Sequence, residues 1–287
     1  MSSFRLKQET YSVKNKKKNT KKCVYCFKNL INRHECKVCK LLQPSTKIVS
    51  KRIKPRNIKR IFVLTLNGKE SRINLFKKRT LQYLTDYECF PYIGVDGRDV
   101  SSVKKILEYF YLEDTSSIYK IMGYREKHPG SIGCYLSHMS IWNYSYNTKN
   151  EGENYVLILE DDATFEPHGI ENIERTIDRL MYLNWDILYL GHSPKLKGNI
   201  LYPNILSPLR NSYPEKRTNC GFWGYAVRLS SVPQLIHSVK KFETMSIDAT
   251  IQYYFGKLIK PLFLIKPLVK QSAGYSIRML IEKDGIH

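Results

Sequence analysis

Short apolar runs alternate with longer amphipathic stretches along this chain, and that rhythm predicts its elements. Arg60-Ile-Phe-Val-Leu-Thr-Leu66 is an apolar run closed by Asn67-Gly68, which reads as a buried strand and a turn. Over 70–84, Ile73, Phe76, Leu81 and Leu84 share one helical face. Residues 90–95 read as a second strand closed by Asp96-Gly97-Arg98-Asp99. A helix opens at Pro129-Gly130-Ser131 with Ser131 as its N-cap, and Ile132, Leu136, Met139 and Trp142 make its buried stripe. Residues 155–160 form a third strand, a helix follows over 168–183, and 185–190 is a strand ending at Gly191-His192. Residues 192–218 read as a long, Pro-containing loop, a length that points to a functional lid or a disordered stretch. A strand over 219–227, a helix over 231–242, a helix start at Ser246-Ile247-Asp248 and a last strand over 262–265 complete the series. Strands alternating with helices imply an α/β fold with a largely parallel, Rossmann-type sheet covered on both faces.

The third strand carries the chemistry. Tyr155-Val-Leu-Ile-Leu has no polar face to give to water, and it ends abruptly in Glu160-Asp161-Asp162. A buried strand that ends in carboxylates sets charge where an α/β sheet opens to a crevice. Three adjacent acids repel one another until a cation joins them, and a hard ion such as Mg²⁺ or Mn²⁺ prefers oxygen ligands. The cluster is thus a candidate for holding a metal and, through it, a phosphate; a solvated turn of acids is the plainer alternative.

Charge separates the N-terminus from the rest. Residues 1–60 hold 19 Lys/Arg against 2 Asp/Glu, a net +17 of the +21 that the 287 residues carry. This asymmetry points to an anionic partner for the tail, or to a solvated arm. Four of the seven cysteines fall there, as Cys23-x2-Cys26 and Cys36-x2-Cys39. That spacing fits paired zinc knuckles, four thiolates closing a tetrahedron around structural Zn²⁺, with His34 able to replace one. Residues 43–58 read as a linker, so 1–57 form a basic, zinc-ribbon-like segment and 58–287 the main domain. The first residues lack a secretory apolar core, and no stretch reaches the ~18–20 apolar residues of a membrane span. The expected location is cytoplasmic, with peripheral membrane association left open.

Other candidates lie at strand and helix ends. Arg72 sits in the first turn of its helix, where a cation is tolerated more easily if it faces an anion, although an exposed Arg is the plainer reading. Asp96, beside Gly97, can accept hydrogen bonds from a ribose or base, although Asp-Gly is first a turn signal. Ser137 and His138 lie beside the buried stripe; a structural histidine is the commoner outcome on a helix, and the Gly-rich start favours a helix that faces a ligand.

Taken in order, residues 61–66 with Arg72, Val95-Asp96-Gly97, Gly130-Ser-Ile-Gly-Cys-x-x-Ser137-His138, Leu157-Ile-Leu-Glu-Asp-Asp162 and Ile247-Asp248 resemble glycosyltransferase family 25. That family includes bacterial lipopolysaccharide and procollagen galactosyltransferases. The resemblance covers about residues 58–272 and excludes the cysteine knuckles. It implies a GT-A-like fold and transfer of a hexose, galactose or glucose, from a UDP-sugar to a hydroxyl of a glycan, lipid or protein, hydroxylysine included. It implies Mn²⁺ or Mg²⁺ on Asp162 and Glu160, with Asp161 on the ribose or the metal. Asp96 and Gly97 then serve the nucleoside, and Arg72, Ser137 and His138 the donor site. The family is regarded as inverting, so a carboxylate should take the acceptor proton; Asp248 is the choice, with Asp186 and Glu166 in reserve, and an acid that serves only the start of its helix is the equal alternative for Asp248. The rival reading is a catalytically degenerate scaffold that carries a nucleic-acid- or protein-binding zinc ribbon.

Overall fold

The computed structural model describes residues 58–272, apart from residues 68, 81–82, 85–86, 113, 167, 193–197, 209–220, 242–246 and 255–257. The zinc set Cys23, Cys26, Cys36 and Cys39 lies outside the described residues. Ten strands are described: β1 (Ile58–Thr65), β2 (Glu88–Ile93), β3 (Tyr155–Glu160), β4 (Ala163–Phe165), β5 (Ile187–Tyr189), β6 (Gly198–Tyr202), β7 (Ile205–Pro208), β8 (Gly224–Arg228), β9 (Pro261–Leu264) and β10 (Val269–Gln271). Seven α-helices accompany them: α1 (Glu70–Thr80), α2 (Val100–Tyr111), α3 (Thr115–Lys127), α4 (Pro129–Asn147), α5 (Gly169–Leu180), α6 (Val232–Val239) and α7 (Ile247–Tyr253). No helix among the described residues is long and apolar enough to cross a membrane.

Eight strands form one sheet in the order β2-β1-β3-β8-β5-β9-β7-β6, and β4 pairs with β10 in a separate ribbon. β1 runs parallel to β2 and β3, and β5 parallel to β9. β8 lies antiparallel between β3 and β5, and β7 antiparallel beside β9. The sheet is therefore mixed: β7 and β8 run against the other strands.

Strand alternation sorts the core into two layers. Phe62 and Leu64 of β1, Val156 and Ile158 of β3, and Tyr225 and Val227 of β8 pack with apolar residues of α2, α3, α4, α6 and α7. Ile61, Val63, Leu157, Leu159 and Ala226 face the other way, onto α1, α5 and the small ribbon. β3 is buried on both faces, which explains why its sequence runs apolar without interruption. At the sheet edge away from the acids, Arg60 Nε donates to Glu153 Oε1 at 2.5 Å, and its other nitrogens reach Thr148 Oγ1 and the Ser145 carbonyl. This buried, fully bonded pair ties the start of β1 to the turn before β3.

Several expectations need correction. The 99–128 segment, given no element from sequence, holds α2 and α3, whose N-caps Asp99 and Asp114 accept from Ser102 N and Ser117 N. α4 starts at Pro129, three residues earlier than a Ser131 N-cap implies; His128 is at the N-cap position and Ser131 is buried in the first turn. Proline's fixed φ suits that first position. The 192–218 loop contains the β6–β7 hairpin, whose exposed apolar residues carry no buried-strand signal. β8 begins at Gly224, later than the 219–227 reading, and runs antiparallel to both of its neighbours.

Two glycines show how closely the layers approach. A Cβ on Gly97 would stand 1.7 Å from the Pro129 carbonyl oxygen, whereas one on Gly123, exposed on α3, would meet nothing within 4 Å. Gly97→Ala should therefore cost about 1–3 kcal/mol through forced backbone movement. Gly123→Ala should gain roughly 0.8–1 kcal/mol of helix propensity. Thermal melts of the two variants should move in opposite directions; a shared direction contradicts the packing described.

Candidate functional site

The parallel pairing of β1 with β3 sets Leu64 against Glu160, so Thr65 and the acids leave the sheet together at its C-terminal edge. Asp161 N donates to the Leu64 carbonyl at 3.0 Å, and Glu160 N to the Trp223 carbonyl at 3.0 Å. The backbone is held from both sides, and the alternation of the strand carries into the acids. Glu160 turns to the α4 layer and Asp161 to the α1 layer.

Asp161 is fully engaged. Arg72 Nε lies 2.9 and 3.0 Å from its two oxygens, Arg72 Nη2 also bonds Oδ1, and Thr65 Oγ1 donates to Oδ2 at 2.7 Å. Burial disfavours the Arg72 charge, but Asp161, Asp162 and Glu160 more than offset it and raise its pKa above the ordinary value. The anion that Arg72 faces is thus an internal one. A forked, part-buried Arg–carboxylate pair of this kind positions; it leaves Asp161 little capacity for a ribose or a metal.

Asp162 is held but incompletely satisfied. Its carbonyl accepts from Ser272 N at 2.8 Å, and Oδ2 accepts from Gln271 Nε2 at 3.0 Å. Arg72 Nη2 stands 3.7 Å from Oδ2. Oδ1 is buried with no hydrogen-bond partner. Burial first, then the Glu160 charge, pushes the carboxyl up to about 7. Glu160 is likewise pushed to about 7 by burial, then by Asp161 and Asp248. Its Oε1 lies 3.4 Å from His138 Nε2, and burial depresses that imidazole to about 3, so it is neutral near pH 7. Two carboxyl groups, Asp162 buried and Glu160 half-buried, therefore sit at the sheet edge with less positive charge than they need. A dication fits that deficit, and the orphaned Asp162 Oδ1 is the acceptor it would satisfy.

The remaining candidates divide. Asp248 is half-buried in the first turn of α7, and its charge acts on both Glu160 and His138. Asp96 accepts from Arg98 through its backbone N and its guanidinium. Gly97 and Gly133 approach each other: a Cβ on Gly133 would stand 2.8 Å from Gly97 N, so these glycines serve the packing of the turn on α4. Ser137 Oγ accepts from Val95 N at 2.7 Å and donates to the Gly133 carbonyl at 2.6 Å, which consumes the hydroxyl inside the same junction. Asp186 lies at the other end of the sheet, accepting from Ser231 Oγ and Lys260 N. Glu166 pairs with Lys270 at 2.5 Å on the small ribbon. Thr65, Gln271 and Cys134 join the site without having been singled out. Only Cys134 carried a readable signal, its i,i+4 spacing from His138.

Arg72→Ala should cost about 3–5 kcal/mol of stability, because it strands the buried Asp161 carboxylate. The double variant Arg72→Ala, Asp161→Ala should recover part of that loss in chemical denaturation. Unchanged stability in the single variant would contradict the structural role given to this pair.

Comparisons with known proteins agree with the resemblance. The model of the family described as "Glycosyltransferase family 25 (LPS biosynthesis protein)" matches residues 58–251. Procollagen galactosyltransferase 2 of Homo sapiens is 23% identical over 213 residues, 69% of this chain and 30% of that protein. Inactive glycosyltransferase 25 family member 3 of Mus musculus is 28% identical over 151 residues, 49% of this chain and 23% of that protein. The chain spans between 21% and 33% of the length of the curated relatives it matches. The solved structure of a glycosyltransferase involved in glycosylation of the major capsid of PBCV-1 aligns with 79% of this chain and 98% of its own, at 9% identity and a TM-score of 0.37. With its family model matched over most of the described domain, the chain belongs to glycosyltransferase family 25.

Proposed function

We propose that this chain is a metal-dependent hexosyltransferase of GT-A-like architecture that moves galactose or glucose from a UDP-sugar to a hydroxyl acceptor with inversion. The observation that carries the reading is Asp162: a buried carboxylate with an unpartnered Oδ1, pushed up to about 7 beside a second acid in the same condition. Family membership supplies the reaction class. The name of the human relative points to a collagen-type hydroxyl; glycans and lipids are equally consistent acceptors.

Asp162 would hold Mn²⁺ or Mg²⁺, with Glu160 adding negative charge from the α4 side. When bound, such an ion supplies neutralising charge to the departing diphosphate. Arg72, Asp161 and Thr65 keep Asp162 in place by fixing the backbone that carries it. Asp248 is half-buried near Glu160 and His138, and it is proposed as the base that takes the acceptor proton. Asp96, in its turn after β2, is proposed for the nucleoside. For residues 1–57 the proposal remains a four-thiolate Zn²⁺ site with basic flanks for an anionic partner.

Relatives named inactive give a second reading, a scaffold that keeps the fold without turnover. The two separate on UDP release from UDP-galactose and UDP-glucose, with Mn²⁺ or with chelator. Turnover should need the metal, and Asp162→Asn should lower it by about 10²–10³-fold while the melt is retained. Absence of turnover with every UDP-sugar, acceptor and metal favours the scaffold.

The acids also set a pH dependence. In chelator, the folded state keeps protons on Glu160 and Asp162 up to about pH 7, whereas the unfolded chain loses them near the ordinary carboxylate value of about 4. Folded protein then binds more protons than unfolded, so this contribution to stability falls as pH rises from about 5 through 7. Mn²⁺ should restore stability chiefly at the upper end of that window. Asp162→Asn should flatten the fall; an equal fall in the variant would contradict the assignment.

A further inference from the structure

Cys134 and His138 stand on α4 four residues apart, one above the other on a single helix face. Glu160 meets them from the end of β3. One donor atom from each, a thiol sulfur, a ring nitrogen and a carboxylate oxygen, lies within 4.8 Å of the other two. The His138 Nε2 to Glu160 Oε1 separation of 3.4 Å is long for a charge-assisted hydrogen bond, which runs at about 2.7–2.9 Å. It matches the edge of a tetrahedron around zinc, roughly 3.3–3.8 Å for bonds of about 2.0–2.3 Å.

A second observation comes from behind the imidazole. His138 Nδ1 lies 2.7 Å from the Tyr225 hydroxyl, and Trp142 Nε1 donates to that same oxygen at 3.0 Å. All three side chains are buried, and Phe222 packs 4.9 Å from the imidazole centroid. The ring is therefore held by its far nitrogen, with Nε2 aimed at Glu160. Metal-binding histidines are oriented in the same way. In the tautomer that carries its proton on Nδ1, the ring donates to Tyr225 and turns its Nε2 lone pair on the Glu160 carboxylate, and a cation then fits between the two acceptors; in the other tautomer Tyr225 donates to Nδ1 and Nε2–H donates to Glu160.

We infer that Cys134 Sγ, His138 Nε2 and Glu160 Oε1 form a second metal site, suited to zinc and separate from the hard-ion position at Asp162. The donor set decides the metal: sulfur and imidazole favour zinc over manganese or magnesium. Charge agrees, because one thiolate and one carboxylate neutralise a dication and the imidazole adds nothing. Zinc binding releases the thiol proton to solvent and forms the Zn–S bond without a redox step. Such an ion clamps α4 to the end of β3. It draws Glu160 inward, so that the nucleotide side of the cluster is left to Asp162. Three protein ligands leave a fourth position for water or a bound ligand.

The test reads metal content, so its result does not depend on whether the chain transfers a sugar. The full chain is made with Cys23, Cys26, Cys36 and Cys39 all replaced by Ser, which removes the N-terminal thiolates. This parent is desalted after loading with Zn²⁺ alone, and separately with Co²⁺. The expected result is about one zinc per chain and a thiolate-to-cobalt absorption band of tetrahedral type. Cys134→Ala should abolish the band and lower zinc affinity by at least about 10-fold. Tyr225→Phe should weaken zinc by about 10-fold while the band survives. Cys89→Ser and Cys220→Ser should change neither readout. A parent without zinc or without the thiolate band overturns the site, and that measurement needs no variant to fold. Zinc binding that persists in folded Cys134→Ala, or is lost in Cys89→Ser or Cys220→Ser, overturns it equally.

Discussion

The site depends on one constraint: three consecutive carboxylates leave a strand that is buried on both faces. Alternation puts Glu160 and Asp161 on opposite sides of the sheet, so these two acids cannot converge on one point. Each must be satisfied by what covers its own face. On the α1 side, Arg72 and Thr65 consume Asp161. On the α4 side, Glu160 meets a neutral histidine. Asp162, two residues beyond the strand, is caught by Gln271 and Ser272 but keeps a buried oxygen without a partner. The Arg72–Asp161 fork holds the backbone in this spread arrangement, and burial then raises the two acids that lack such a partner. The chemistry of the site follows from that imbalance.

The mixed sheet serves the same end. β8 enters antiparallel between β3 and β5, and the Trp223 carbonyl just before it receives the Glu160 amide. The β4–β10 ribbon folds back so that Gln271 and Ser272 reach Asp162 from 109 and 110 residues further along the chain. The ends of β1, β3, β8 and β10 and the faces of α1 and α4 thus meet around a few side chains. Glycine supplies the closeness at one corner, where the turn after β2 lies against the start of α4.

The sequence disclosed what a single stretch of chain determines. The apolar run into Glu160-Asp161-Asp162 announced a doubly buried strand and a charged sheet edge, and both are present. The placement of Arg72 early in its helix left open an exposed side chain or one that faces an anion; it faces Asp161, an acid of the same chain. What stayed hidden depends on partners distant in sequence. Nothing local to Gln271 marks it as a neighbour of Asp162, and nothing local to Ser137 says that its hydroxyl ties α4 to β2. The direction of β8 was equally unreadable, since an apolar strand has no sign for parallel or antiparallel pairing. The α2–α3 pair was overlooked despite two Asp N-caps, because its capping signals are short and α3 has a single buried apolar residue. Cys134 was overlooked because cysteine in apolar surroundings is common, and only its spacing from His138 set it apart.

The account stands or falls on the unpartnered oxygen of Asp162. Anomalous diffraction at the manganese edge, from crystals grown with Mn²⁺ and UDP, addresses it most directly. The account predicts a peak at roughly 2.0–2.3 Å from Asp162 Oδ1, with the Arg72–Asp161 fork intact. A structure with no peak at Asp162, or with the ion bound to Asp161 in place of Arg72, would contradict it.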